Sequence, residues 1–230
     1  MALLSSNIKS LKLADGLLIL FFIIAFAEVV AEFFSLKTLI YILKPILNPL
    51  LIIIYLLTSV VKNTNFIFAL FFAFVANLFF ISTDFSSILL GNCFFLIFKL
   101  LVIYLVIKAV KVRNYLPILV GTIPFMFLFL YITSLTINEL GNQFYMYLVQ
   151  VICICFLGGF TLSNYIIDST KMNFYIMISA LLSTVIQFIF ILKMYFLPVF
   201  IFQPMAMFLY VFSQFALYKF VLLSEIPKIK

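Results

Sequence analysis

The chain has 230 residues, of which 67% are hydrophobic and only 9% are charged, and its mean hydropathy is +1.36. Soluble domains carry about 25% charged residues, and long unbroken apolar runs exclude the alternating pattern of a membrane β-barrel. We therefore expect an all-α, polytopic membrane helix bundle that forms a single domain over residues 1–230. The net charge of +7 falls mostly at predicted helix ends, where positive-inside topology accounts for it, and we expect no nucleic-acid partner.

Eight apolar segments are predicted to span the membrane. They cover residues 15–34, 38–61, 66–82, 88–109, 115–135, 144–166, 173–192 and 205–223. The first segment is too long for a signal peptide and is interpreted as a retained span. With the N-terminus inside, ten of the fourteen Lys and Arg residues lie on the inner side, two on the outer side and two inside spans. This asymmetry places both termini in the cytoplasm and predicts a multi-pass protein of the bacterial cytoplasmic membrane.

The second segment is the most unusual, because Lys44-Pro45 and Asn48-Pro49 lie inside an apolar run. A proline removes one helical hydrogen bond, and a lysine in a span adds about 2.5–3.5 kcal/mol to the free energy of insertion. Neither feature is needed in a plain membrane anchor. We expect a broken, charged helix that faces a polar cavity inside the bundle.

Other predicted helices carry polar side chains at a similar depth. Glu28 and Glu32 lie one turn apart on the first helix, and the remaining residues of this set are Asn77, Lys99, Gln187 and Gln214. Because isolated charges in a bilayer are costly, two glutamates and two lysines are expected to neutralise one another. We predict a polar pocket that opens toward the outer face and is closed below by phenylalanine and leucine side chains.

Structural interpretations of the same residues stay open. Glu32 and Lys44 could form an ion pair with no role beyond packing, and Gln150 and Ser213 could simply join helices, which contributes about 0.6 kcal/mol for each interaction. The pair Gly158-Gly159 on the sixth helix would permit close helix packing.

Neither a redox site nor a histidine-based site is indicated. The chain has no histidine, which excludes a Ser-His-Asp hydrolase, and its three cysteines lie in apolar runs without a CxxC spacing. We expect no metal and no other cofactor.

Several short motifs resemble those of the YhhN family of eight-helix membrane proteins, which includes the lysoplasmalogenases. Residues 44–49 resemble a KP-x-x-x-P element of the family's second helix. Residues 74–80, 91–99, 186–190 and 210–214 stand where the family has a Gly-Asp element, a glycine followed by aromatic residues and a histidine, a Ser-Asp-x-Leu-Leu element, and a Tyr…Ala-Gln pattern. The resemblance covers about residues 17–223 and makes the chain a divergent member.

The resemblance implies a hydrolase that cleaves the vinyl-ether bond of a lysophospholipid in lipid metabolism. Family members are thought to use acids of helices three and seven, where this chain has Asn77 and Gln187, and Lys99 stands at the histidine position. Because such hydrolysis needs a proton donor and a base, Glu28 and Glu32 are the candidate acid/base residues. Asn77 and Gln187 would then hold the water or the ether oxygen.

Substrate binding is assigned to the basic and amide residues of the predicted pocket. Lys44 or Lys99 would attract the phosphate, and Asn48 and Gln214 complete the set. The expected partner is a membrane lipid or a lysophospholipid. Two alternatives stay open: a non-catalytic lipid- or amphiphile-binding protein of the same fold, and a small transporter, which a broken helix and intramembrane charges would suit. The sequence indicates neither an oligomeric state nor the substrate head group.

Overall fold

The structure is a computed structural model that describes residues 2–82, 84–110 and 115–226, apart from the side chains of residues 2–11, 85 and 142. The predicted basic turn at 111–114 and the end of the basic tail at 227–230 lie outside the described residues. The helices are α1 (Ala2–Phe33), α2 (Lys37–Thr58), α3 (Thr64–Phe79), α4 (Phe85–Ala109), α5 (Leu116–Leu140), α6 (Phe144–Ile167), α7 (Lys171–Tyr195) and α8 (Phe202–Ser224), with a short 3-10 helix at Gly141–Gln143. The described residues contain no strand, and the predicted all-α class is confirmed.

Seven of these helices are long and apolar enough to cross a membrane, as a polytopic membrane helix bundle requires. The shorter one is α3, whose 16 residues span about 24 Å at 1.5 Å per residue. The hydrocarbon core of a bilayer is about 30 Å thick. A helix of this length can cross only where flanking residues or a locally thinner bilayer make up the difference.

The structure differs from the expectations for individual helices. The backbone of α2 is helical without interruption from Lys37 to Thr58, with Pro45 and Pro49 inside it, so the expected break does not occur. Prolines are tolerated in membrane helices because neighbouring groups and small local adjustments satisfy the freed carbonyls. In addition, α5 continues to Leu140 instead of ending at residue 135, because the Thr136 hydroxyl bonds back to a carbonyl of its own helix and Leu140 is buried in a hydrophobic core.

A tight turn joins α1 to α2. The Leu36 N–H donates to the Ala31 carbonyl at 2.8 Å, and the Ser35 N–H donates to the Glu32 carbonyl at 3.2 Å. Ser35 has a φ of 53°. This is the Schellman arrangement, with a serine at the left-handed position that glycine normally occupies. The turn reverses the chain within three residues, so the end of α1 lies beside the first half of α2.

The chain divides into two compact units, the first covering Met1–Phe98 with Ser224–Lys230 and the second Lys99–Leu223. In the first unit, α2 packs on α3, whose buried face carries the small residues Ala69, Ala73 and Ala76. Small residues at this spacing let two membrane helices approach closely. The Tyr55 and Phe66 rings pack edge to face there, with centroids 4.7 Å apart.

The second unit has a core of its own, to which α5, α6 and α7 contribute Phe125, Phe129, Ile132, Leu140, Tyr147, Ile154, Cys155 and Ile191. The close packing predicted for Gly158-Gly159 is confirmed. A Cβ atom on Gly159 would lie 2.7 Å from the Thr122 Cα and N atoms, and one on Gly121 would lie 2.9 Å from the Gly159 carbonyl oxygen. Backbone atoms cannot move aside, so the contact between α5 and α6 requires glycine.

Candidate functional site

An ion pair lies between the end of α1 and the first half of α2. The Lys44 Nζ donates to the Glu32 Oε1 at 2.8 Å, and both side chains are buried. The Schellman turn positions this contact, because it brings two residues only twelve apart in sequence to adjacent places on antiparallel helices. Of the two glutamates and two lysines that were expected to neutralise one another, Glu32 and Lys44 do so in the structure.

Glu28 lies one helical turn before Glu32 and is 0% exposed. It interacts electrostatically with Glu32 and Lys44. Among the described residues, no donor bonds to either of its carboxyl oxygens. A hydrogen bond between two carboxyl groups requires a proton on one of them, so an ionised Glu28 has no donor in this cluster. We call Glu28, Glu32 and Lys44 the carboxylate–lysine cluster.

Two amide residues of the predicted site belong to the same unit. Asn48 follows Lys44 by one turn on the buried face of α2, and Asn77 is buried on α3. Their burial fits a polar interior. Their predicted roles, in substrate binding for Asn48 and in catalysis for Asn77, stay predictions.

A second polar cluster lies in the other unit around Lys99, which is 3% exposed. The Lys99 Nζ donates to the Gln187 Oε1 at 2.6 Å and to the Gln150 Oε1 at 3.1 Å. It also interacts electrostatically with Cys153. Here two amide oxygens accept hydrogen bonds from a buried lysine nitrogen. Gln187 is thus held by Lys99, another residue of the predicted site. The sequence around Gln187 did not indicate this contact.

Gln150 was predicted only as a residue that joins helices, and the structure places it beside Lys99. One signal was available, since Gln150 and Cys153 lie on one face of the sixth helix at a spacing of three residues. Nothing in the apolar sequence around them indicated that this face meets α4 and α7. The contact between Lys99 and Gln150 therefore could not be predicted, because it depends on how the helices pack and sequence spacing does not specify this.

The α7–α8 contact is made by serine hydroxyls. The Ser179 hydroxyl donates to the Ser213 carbonyl at 3.0 Å, the Ser213 hydroxyl donates to the Ser179 carbonyl at 3.1 Å, and the Ser183 and Ser213 hydroxyls lie 2.9 Å apart. Ser213 joins two helices, as the structural interpretation predicted. Its neighbour Gln214 is buried, and no donor of the described chain bonds to its Oε1.

Sequence reasoning missed a junction at the end of α2. The Glu225 carboxylate accepts hydrogen bonds from the Tyr55 hydroxyl at 2.5 Å and from the Ser59 hydroxyl at 2.8 Å. The Asn63 N–H donates to the Tyr55 oxygen at 2.6 Å. Glu225 follows Tyr55 by 170 residues, and no local pattern links two positions so far apart.

All eight residues of the predicted site are buried: Glu28, Glu32, Lys44, Asn48, Asn77, Lys99, Gln187 and Gln214. The first five belong to one unit and the last three to the other. One pocket shared by all eight residues stays a prediction.

Fold and site together define a class: an all-α, multi-pass membrane protein with ionisable side chains buried among its helices. Such residues are costly in a bilayer and commonly mark functional sites. No family model matches the chain, and neither a curated protein nor a solved structure matches it. Membership of the YhhN family therefore stays a prediction from the sequence motifs.

Proposed function

We propose that this protein is a membrane-embedded hydrolase that resembles the lysoplasmalogenases and cleaves the vinyl-ether bond of a lysophospholipid. The observation that carries the proposal is the wholly buried Glu28 carboxyl beside the Glu32–Lys44 ion pair. Vinyl-ether hydrolysis requires a proton donor to carbon and a base for water. Two carboxyl groups one turn apart, with a lysine bonded to only one of them, supply both roles.

In the proposed reaction, protonated Glu28 gives its proton to the vinyl carbon that is not bonded to the ether oxygen. The resulting oxocarbenium ion is attacked by water, whose proton passes to the Glu32 carboxylate. The hemiacetal then collapses to a fatty aldehyde and a glycerophospho-base, and the proton gained by Glu32 returns to Glu28. Lys44 stabilises the anionic form of Glu32, and Asn77 of the same unit is assigned to orienting the water.

The test is aldehyde release from a lysoplasmalogen by the purified full chain in detergent. We expect Glu28→Gln and Glu32→Gln each to lower the rate by about 10²- to 10⁴-fold, the usual contribution of a positioned acid or base. Glu139→Gln makes the same chemical change at an exposed position and is expected to keep full activity. Release that persists in both site variants would contradict the assigned roles.

A second candidate is a lipid- or amphiphile-binding protein without catalysis. It is favoured by the amides Asn77 and Gln187 at the positions where the YhhN family is thought to carry acids, because an amide can orient water but cannot exchange protons. No aldehyde from a folded wild-type protein, together with retained binding of the lysophospholipid, would select this function. The uninterrupted backbone of α2 removes one of the two observations that favoured a transporter.

A further inference from the structure

The carboxylate–lysine cluster does not balance its charge when all three groups are ionised. Lys44 neutralises Glu32 through a hydrogen bond of 2.8 Å, which leaves the charge of Glu28 uncompensated. Glu28 is 0% exposed. Burying an unpaired carboxylate away from water is unfavourable even after the protein relaxes. A cluster with one excess negative charge is therefore an unfavourable state of this fold.

The hydrogen bonds of the cluster show the same deficit. Among the described residues, no donor reaches either oxygen of Glu28. The charged groups that interact with Glu28 are Glu32 on its own helix and Lys44 on α2. Of these, Lys44 already donates to Glu32, and a carboxylate at Glu32 cannot donate at all. The missing element is a hydrogen atom between the two carboxyl groups.

We propose that the cluster is a proton-binding site, in which one proton resides on Glu28 and is shared with Glu32. A single proton corrects both deficits, because it makes the three groups neutral together and lets the Glu28 hydroxyl donate to a Glu32 oxygen. Glu32 then accepts from Glu28 and from Lys44, within the capacity of a carboxylate. The result is a hydrogen-bonded series from Glu28 through Glu32 to Lys44.

A proton fits this site better than a metal ion does. Cations such as Mg²⁺ and Ca²⁺ need about six oxygen ligands or more. The cluster offers two carboxyl groups, one of them already bonded to an ammonium group. Within the described part of the chain, no group of three or more His, Cys, Asp or Glu side chains could hold a metal ion. The proton needs only the two carboxyl oxygens.

This inference deepens the proposed function by giving the charge state of its acid, and it rests on that function only for the role assigned to Glu28. Its own basis is the burial and charge of the cluster. A spectroscopic test therefore separates the two proposals, since a proton on Glu28 can be detected whether or not any aldehyde is released.

The experiment is infrared spectroscopy of the purified full chain in lipid vesicles at neutral pH, in H₂O and in D₂O. A protonated carboxyl group gives a C=O stretching band that shifts on deuteration, and an ionised one does not. We expect the band in the wild type and its loss in Glu28→Gln, which removes the carboxyl group. Its loss is also expected in Glu32→Gln, because Lys44 then neutralises Glu28 alone.

Lys44→Met gives the opposite expectation, since two buried carboxyl groups without a cation both take up a proton and the band grows about twofold. Asp84→Asn changes an exposed carboxylate and should leave the band unchanged. Glu28→Gln keeps a donor toward Glu32, so this variant is expected to fold. If Glu32→Gln does not fold, the other two site variants decide.

The proposal is overturned if a folded wild type shows no such band, or if the band survives Glu28→Gln. It is also overturned if the band is seen only when sodium ions are removed from the buffer, because the site would then hold a metal cation in place of the proton.

Discussion

Lys44 and Lys99 are both buried lysines, and the structure accommodates them in different ways. Lys44 has a carboxylate partner at 2.8 Å, so its charge is neutralised. Lys99 donates hydrogen bonds to the amide oxygens of Gln150 and Gln187, which are neutral acceptors. In a low-dielectric interior, removing one member of a close ion pair leaves its partner buried without a counter-ion. Removal of Lys44 therefore takes a counter-ion from Glu32, whereas removal of Lys99 takes a hydrogen-bond donor from two amide groups.

The first prediction concerns the ion pair. Lys44→Ala is expected to lower the free energy of unfolding by about 3–5 kcal/mol, because Glu32 loses its cation and must then take up a proton inside the protein. Lys37→Ala removes an exposed lysine from the same helix and should change stability by less than about 0.5 kcal/mol. Thermal unfolding of both variants in detergent, followed by circular dichroism, measures the difference. Equal melting temperatures would contradict the prediction.

The contacts of the candidate-site residues could be predicted only where the two residues lie close together in sequence. Charge balance predicted that two glutamates and two lysines would neutralise one another. This holds for Glu32 and Lys44, which lie on helices consecutive in sequence, whereas the hydrogen bonds of Lys99 go to amide groups. The bond between Lys99 and Gln187 joins residues 88 apart, and the bond between Tyr55 and Glu225 joins residues 170 apart. Such contacts depend on how non-consecutive helices pack, and hydrophobic patterns in a uniformly apolar chain carry little information about that.

At the scale of elements, the contact between α5 and α6 is set by backbone approach. Gly121 and Gly159 face each other so closely that an added Cβ atom would meet main-chain atoms of the other helix. Glycine normally lowers the stability of a helix interior by about 0.5–1 kcal/mol relative to alanine. Here the closer contact between the two helices along their length offsets this loss of stability.

The second prediction follows from this balance. Gly159→Ala should be destabilising by about 1–3 kcal/mol, since the overpacking exceeds the gain in helix propensity. Gly16→Ala places the same methyl group where no atom lies within 4 Å, so it should be neutral or slightly stabilising. The melting temperatures of the two variants, measured side by side, provide the test. A destabilised Gly16→Ala with an unchanged Gly159→Ala would refute the close approach.

The apolar runs predicted where helices exist better than where they end. The run of α2 contains Pro45 and Pro49, and proline chemistry suggested a break, yet the helix is continuous. Local rules describe the intrinsic preference of the chain, whereas in a bilayer the need to satisfy every backbone group favours helix even at unfavourable residues. The same need extends α5 beyond its predicted end.

At the scale of the whole molecule, the composition alone was sufficient to predict an all-α membrane bundle, but the topology depends on α3. With 16 residues, α3 is the shortest of the apolar helices. If it did not cross the membrane, every later helix would reverse its direction, and the excess of positive charge would no longer lie on one side.

The third prediction tests this point by labelling with a membrane-impermeant thiol reagent in intact cells. In a chain whose own cysteines are replaced by alanine, Asp84→Cys should be labelled from outside and Asp168→Cys should be protected. Both positions are exposed in the structure, and the predicted topology places the first outside and the second inside. Protection of Asp84→Cys together with labelling of Asp168→Cys would show that α3 does not span.

The turn at Ser35 also bears on how the chain enters the membrane during synthesis. Taken alone, α2 would carry an unpaired lysine into the bilayer, at about 2.5–3.5 kcal/mol on insertion scales, and α1 would carry two unpaired glutamates. The turn places the carboxylates and the ammonium group side by side as soon as both helices have formed. The two helices are thus better suited to leaving the translocation machinery together as a hairpin than one after the other. The efficiency with which α2 is inserted would then depend on the sequence of α1.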